Sequence, residues 1–381
     1  MASMTEPAYP AARRAAANVR RHLEEHIVSA QHEARKKPAA LPDLDGIEAV
    51  IDAAFWASLR REEERTPILS LALVAPDQVD NPIRFERPLP LVSQALTRVA
   101  PAVERPGIHL AVWPDGSDLV VWGATRHLPP FCFVLEVIAP GLLVVKQSPA
   151  EPTGKYVNIA VLQGEEIKIV DQHAATVPDC PDLLLSLLGL ESHYEPAGSV
   201  NVLIQLAVSM RAHGRGGLLL VVPSTSGNWL DSVVQPIQYS VAPFSALERL
   251  MQADESEQAR RSWQDELRRA VDLIAGVTAV DGATVITDSY EMLAFGAKIV
   301  RRRGSQQLSR VMMTEPIEGS EPMIADPTQL GGTRHLAAAQ FVHDQRDAIA
   351  LVASQDGRFT VFAWSPCDDI VHAHRIETLL L

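Results

Sequence analysis

The stretch Gly331–Gln340, GGTRHLAAAQ, is where the fold of this chain becomes readable. Two glycines lead into a threonine, an arginine and a histidine, and a run of small apolar residues follows. The run reads as a helix, so Thr333, Arg334 and His335 stand in its first turn. N–H groups of that turn have no partner within the helix and carry positive partial charge. Two more cation-capable side chains are unfavourable there unless an anion sits among them. A phosphate suits the backbone N–H groups, the guanidinium and the imidazole together.

Working outward, short β-rich runs flank this helix on both sides. GRGGLLLVV (214–222), VDGATVITD (280–288) and EMLAFGAKIV (291–300) precede it, and DAIALVAS (347–354) and RFTVFAW (358–364) follow. The last two close as a hairpin through Gln355-Asp356-Gly357. Strands on both sides of a helix predict a mixed sheet flanked by helices. Residues 245–276 read as helical with a charged middle, and 199–213 as a further helix. Asp281-Gly282-Ala283 opens a strand. Asp-Gly is first a turn signal; its other reading is a carboxylate holding Mg²⁺ or Mn²⁺, with Gly282 allowing close approach to the backbone. Asp356 carries the same pair of readings, hairpin turn or second metal carboxylate. Arg301, Arg302 and Arg303 form a polar loop that would guide an anion if it faced the same cleft.

The first half of the chain differs. Residues 11–37 read as an amphipathic helix with Ala12, Ala16, Val19, Leu23, Ile27, Ala30 and Ala34 on one stripe. It is expected to dock on its own domain or on a twin, since Glu24, Glu25 and Glu33 oppose an anionic lipid surface. Helices are expected at 46–62 and in PLPLVSQALTRVA (88–100). Six β-rich runs between 107 and 170, parted by turn residues, read as an antiparallel meander without a catalytic constellation. ATRH at 124–127 echoes the phosphate motif, but Leu128-Pro129-Pro130 follows it and begins no helix.

Composition sets limits on function. The chain has 381 residues, 47% of them hydrophobic and 21% charged, enough for two or three domains. A net charge of −13 argues against general nucleic-acid binding. Cys132, Cys180 and Cys367 are far apart, form no zinc pattern and suit reduced thiols in a cytoplasm. No apolar run reaches the ~20 residues of a membrane span, and no signal peptide is evident.

In their order, DGATVI, FGAKI, GGTRH and SQDG resemble the diadenylate cyclase (DAC) domain, the nucleotide-binding domain of the DNA-integrity scanning protein and its relatives. The resemblance covers about 200–365. The preceding region, with FWASLRREE near its start, looks like the DACNV sensor module. The domains so implied are an N-terminal helix (1–45), a sensor domain (46–198), a DAC-like domain (199–366) and a C-terminal tail (367–381). The fold class is α/β (α+β), with a mixed-sheet domain behind a helical and antiparallel β domain.

The resemblance implies roles residue by residue. Asp281 and Asp356 would bind Mg²⁺ or Mn²⁺. Gly282, Ala283, Ile299 and Ser354 would line the nucleotide, Ile299 packing on adenine, and Thr333, Arg334 and His335 would grip phosphate. The turn at Asp356 is one residue shorter than the family's. Where the family continues Arg-His-Arg, this chain has Leu336, and one of Arg301–Arg303 is the expected substitute. The implied reaction joins two ATP into cyclic di-AMP with release of two pyrophosphates, across facing DAC domains of a homodimer or higher homo-oligomer. Asp281, Arg334 and His335 would be its catalytic residues. The other readings are a DAC-like nucleotide sensor without turnover, favoured by Leu336, and a nucleic-acid binder, which the charge opposes. A sensor ligand or regulatory protein and a cytoplasmic location complete the expectation.

Overall fold

The computed structural model describes residues 7–30, 37–61, 66–150, 155–171, 201–258 and 260–381. Cys180 and Ala34 lie outside the described residues. The chain divides into two compact units, one up to Asp171 and one from residue 199 to Leu380. Both are mixed α and β, as expected.

In the first unit, α1 spans Pro10–Ala30 and α2 spans Leu44–Ser58. Proline at the first helical position of α1 suits its fixed φ. Asp43 caps α2 by accepting from the Gly46 N–H at 2.7 Å. Ala12, Ala16, Val19 and Leu23 of the α1 stripe are buried in this unit's own core, against α2 and the sheet. That stripe is therefore already covered.

The strands are β1 (Leu69–Leu73), β2 (Ile83–Pro90), β3 (His109–Asp115), β4 (Asp118–Thr125), β5 (Phe133–Ala139), β6 (Leu142–Gln147), β7 (Val157–Gln163) and β8 (Glu166–Ile169). They lie in the order β2-β4-β3-β1-β5-β6-β7-β8. The expected meander holds from β5 to β8 and between β3 and β4. It is broken by β1, which inserts between β3, parallel to it, and β5, antiparallel. All five residues of β1 are buried, so it lacks the alternation that marks a half-exposed strand. Residues 88–90, expected as helix, end β2 instead, and α3 (Ser93–Val99) starts three residues later. Pro88 and Pro90 are tolerated because β2 is an edge strand.

The second unit opens with α4 (Val202–Ala212), capped by Asn201. Then come β9 (Gly217–Val222), β10 (Tyr239–Phe244), α5 (Ala246–Met251), α6 (Glu255–Gln258), α7 (Arg261–Val277), β11 (Ala283–Thr287) and β12 (Met292–Ala297). The unit closes with β13 (Val311–Thr314), β14 (Met323–Ala325), α8 (Thr333–Asp344), β15 (Ile349–Ala353), β16 (Phe359–Ser365) and β17 (Ile370–Arg375). The nine-stranded sheet runs β10-β12-β11-β9-β15-β16-β17-β13-β14. It is mixed, with β9 parallel to β11 and antiparallel to β15. Residues 367–381 are no tail, since β17 pairs with both β16 and β13 inside the sheet. Its buried alternate residues Val371 and Ala373 belong to the same core as Phe341 and Val342 of α8.

Candidate functional site

The site assembles at one edge of the second sheet, and strand register places it. Gly217 at the start of β9 pairs with Ala353 at the end of β15. Leu219 pairs with Thr284 of the parallel strand β11. Asp281 and Gly216 precede β11 and β9, and Ser354 follows β15, so the three stand at one end of three adjacent strands whose outer two lie about 10 Å apart. Ala353 pairs with Phe359, which brings Arg358 to the same edge, and Arg375 at the end of β17 pairs with Thr360.

The first turn of α8 faces this edge. Gly332 at its N-cap provides no side-chain cap, and the turn holds no acidic residue. Thr333 is exposed and Arg334 half-buried. A Cβ built on Gly216 would lie 2.8 Å from Nη1 of Arg334 and 3.3 Å from the carbonyl oxygen of Ala353. The guanidinium therefore occupies the space that a side chain at position 216 would fill. Its Nε is buried and has no hydrogen-bond partner. His335 is only 2% exposed, and its Nε2 likewise has no partner. Its ring folds back over Gly331, where an added Cβ would meet Nδ1 at 2.6 Å. Burial pushes the His335 pKa down, and the cation of Arg375 adds to this, while Asp356 opposes it. Arg334 Nε and His335 Nε2 are thus two buried nitrogens without a protein partner; the first is a donor, and the second is a donor in one of the two tautomers of a neutral imidazole.

The remaining expected residues are distributed around this core. Asp281 is exposed and has no hydrogen-bond or ion-pair partner among the described residues. Asp356 occupies the β15–β16 turn and pairs with Arg358 at 3.4 Å. Ser354 closes that turn, its N–H donating to the Arg358 carbonyl at 2.9 Å. Ala283 is buried at the start of β11. Gly282 has a reason of its own: at φ +103, an added Cβ would lie 2.5 Å from the carbonyl carbon of Gly296. Gly296 in turn lies under the ring of Tyr239, which stacks on Phe295 with centroids 4.8 Å apart. Ile299 bridges Val233 two residues beyond β12 and packs half-buried on the unit's core. Among the described residues, no three histidine, cysteine, aspartate or glutamate side chains gather as a metal site. Asp281 suits a hard cation as one free carboxylate, with the other oxygens left to a ligand.

One expectation is corrected. Arg301–Arg303 lie at the far end of α8. The Arg302 N–H donates to Asp344 at 2.8 Å, and its guanidinium pairs with Asp231 at 3.5 Å. Arg334 and Asp344 are ten residues apart, about 15 Å along the helix axis. The polar loop is held there by Ser305 and Gln340 as well. No sequence cue fixed which end of the helix it would reach.

Residues 36–126 match the family model described as "Probable sensor domain DACNV". No curated protein matches the chain. Two solved structures are similar over 45% of it. One is a hypothetical membrane spanning protein from Bacillus cereus, at 13% identity and a TM-score of 0.27, of which the match spans 61%. The other is a double mutant of DacA from Staphylococcus aureus, at 15% identity and a TM-score of 0.23, with 83% of that chain spanned. The chain thus spans about three fifths of the first of these. No helix among the described residues is long and apolar enough to cross a membrane.

The DACNV match falls within the first unit, so the chemistry of the edge site rests on its own residues. Four of these escaped the sequence reading: His213, Arg215, Arg358 and Arg375. The signal for the first two was RAHGRGG (211–217), where two basic residues interleave with glycines ahead of a strand. Arg358 and Arg375 become neighbours of His335 only through the pairing of β15, β16 and β17.

Proposed function

We propose that the second unit is a nucleotidyltransferase of the diadenylate cyclase type, joining two ATP into cyclic di-AMP with release of two pyrophosphates, under the control of the DACNV-like first unit. The observation that carries this reading is the pair of buried, unpartnered nitrogens, Arg334 Nε and His335 Nε2, in an uncapped helix turn over Gly216. They supply what a phosphate chain requires and nothing that a covalent nucleophile would. Arg334 and the first-turn N–H groups bind and orient the α-phosphate region. Neutral His335 donates from Nε2 to a phosphoryl oxygen as negative charge builds on it. Asp281 would hold Mg²⁺ or Mn²⁺, with Asp356, in the β15–β16 turn, as the second carboxylate that the resemblance implies. Such a cation, when bound, would supply neutralisation of the phosphate charge. Each site carries one nucleotide, so the reaction needs a second copy facing the first, and the protein's share is positioning.

Leu336 favours a second reading, nucleotide binding without turnover, because the third basic group of the resembled motif is absent. Incubation with ATP and Mn²⁺ followed by mass spectrometry of the products separates the two. Cyclic di-AMP that vanishes in folded Asp281→Asn protein supports cyclisation. Bound but unchanged ATP supports the sensor. Wild-type protein that neither binds nor converts ATP overturns both.

A further inference from the structure

The loop ahead of β9 bears a cation that the reading above leaves unused. Arg215 sits between Gly214 (φ +64) and Gly216 (φ +72), two left-handed positions that favour glycine. Its backbone is held on both sides. The N–H donates to Nδ1 of His213 at 3.1 Å, and the carbonyl accepts from Nε2 of Gln355 at 3.4 Å. The first contact leaves the ring proton of His213 on Nε2, which reaches Thr278 Oγ1 at 3.3 Å. Yet the guanidinium of Arg215 is exposed and has no carboxylate partner among the described residues. Arg334 is in the same position one residue away, over Gly216. After burial, Arg215 and then Arg334 are the charges that hold the His213 pKa down.

Two guanidinium groups without carboxylate partners beside one glycine turn favour an anion bound among them. Burial grades the basic groups outward, from buried His335 through half-buried Arg334 to exposed Arg215. A chain of phosphates entering at α8 would follow that gradient toward solvent. Leu336, half-buried, offers no charge along it.

We infer that Arg215 is the outer phosphate contact of this site, engaging the distal phosphates of a nucleoside triphosphate and setting its preference for triphosphate over monophosphate. This rests on the nucleotide reading above, and the probes are chosen to separate the two. In full-length protein, ATP, AMP and inorganic tripolyphosphate are titrated by calorimetry against wild type, Arg215→Ala and Arg215→Lys. The alanine variant should lose roughly tenfold or more in affinity for ATP and tripolyphosphate. Its AMP affinity should stay within about twofold, and the lysine variant should recover most of the loss, because the charge alone suffices at an exposed position. Unchanged ATP affinity in the alanine variant overturns the assignment, as does an equal loss for ATP and AMP. Tripolyphosphate binding that depends on Arg215 without any ATP binding keeps Arg215 as a polyphosphate contact and overturns the nucleotide reading. Wild type that binds none of the three overturns both.

Discussion

Alanine at Gly216 and alanine at Gly214 impose the same kind of backbone cost in different surroundings. Both glycines are left-handed, at φ +72 and +64. A Cβ in that region costs about 1–2 kcal/mol. For a unit of this size each change should lower Tm by about 2–8 °C. The two differ in what the new methyl meets. At Gly214 nothing lies within 4 Å, whereas at Gly216 the methyl would be 2.8 Å from Nη1 of Arg334 and in close contact, at 3.3 Å, with the Ala353 carbonyl oxygen. A guanidinium ends a flexible side chain, so it should swing aside at little cost in stability. The same displacement removes it from the anion site, where a charge-assisted contact contributes about 1.5–3 kcal/mol. ATP affinity should therefore fall about 10–150-fold in Gly216→Ala. In Gly214→Ala it should stay within about threefold. Circular dichroism melts and calorimetric titration of ATP against both full-length variants give the two numbers. Equal ATP affinity in two equally destabilised variants would refute the placement of Arg334 over Gly216 as the basis of binding.

Further outcomes follow from the same geometry. In the first unit His109 is 1% exposed and held between Ser70 and Tyr156, and burial pushes its pKa down to about 4. Because the folded value lies below the unfolded one of ~6.5, stability should fall as pH drops, by about 2 kcal/mol between pH 6.5 and 5 from this residue alone. Urea unfolding across that window should show a shallower pH slope in His109→Asn, and an unchanged slope would sink the idea. His374, buried in the second unit and pushed down to about 3, adds a loss of the same sign. Arg302→Ala should leave ATP affinity within about twofold and Tm nearly unchanged, since exposed ion pairs contribute ~0–1 kcal/mol. A tenfold loss of affinity would return the triple arginine to the site.

Much of the second unit was legible in the chain itself. The helix at Thr333, the strands at Ala283 and Phe359 and the turn at Asp356 each announce themselves through local signals: small-residue runs, β-rich segments and Asp-Gly turns. Local periodicity also marked the α1 stripe, because burial on one helix face repeats every three or four residues. The sequence alone determined which residues have the chemistry to grip phosphate or a cation. It did not determine which of them would meet. Uniformly buried β1 carries no signal for its place between β3 and β5. Arg215, Arg358 and Arg375 become neighbours of the α8 turn only when strands distant in sequence pair. Contacts with Asp344 and Asp231 hold Arg302 at the other end of the helix. Gly282, read as room for a ligand, is required by the close approach of the paired strand at Gly296, which no local pattern encodes. Those outcomes belong to tertiary structure because strand order and register are settled by the burial of whole faces. Side chains at the sheet edge inherit their neighbours from that global choice.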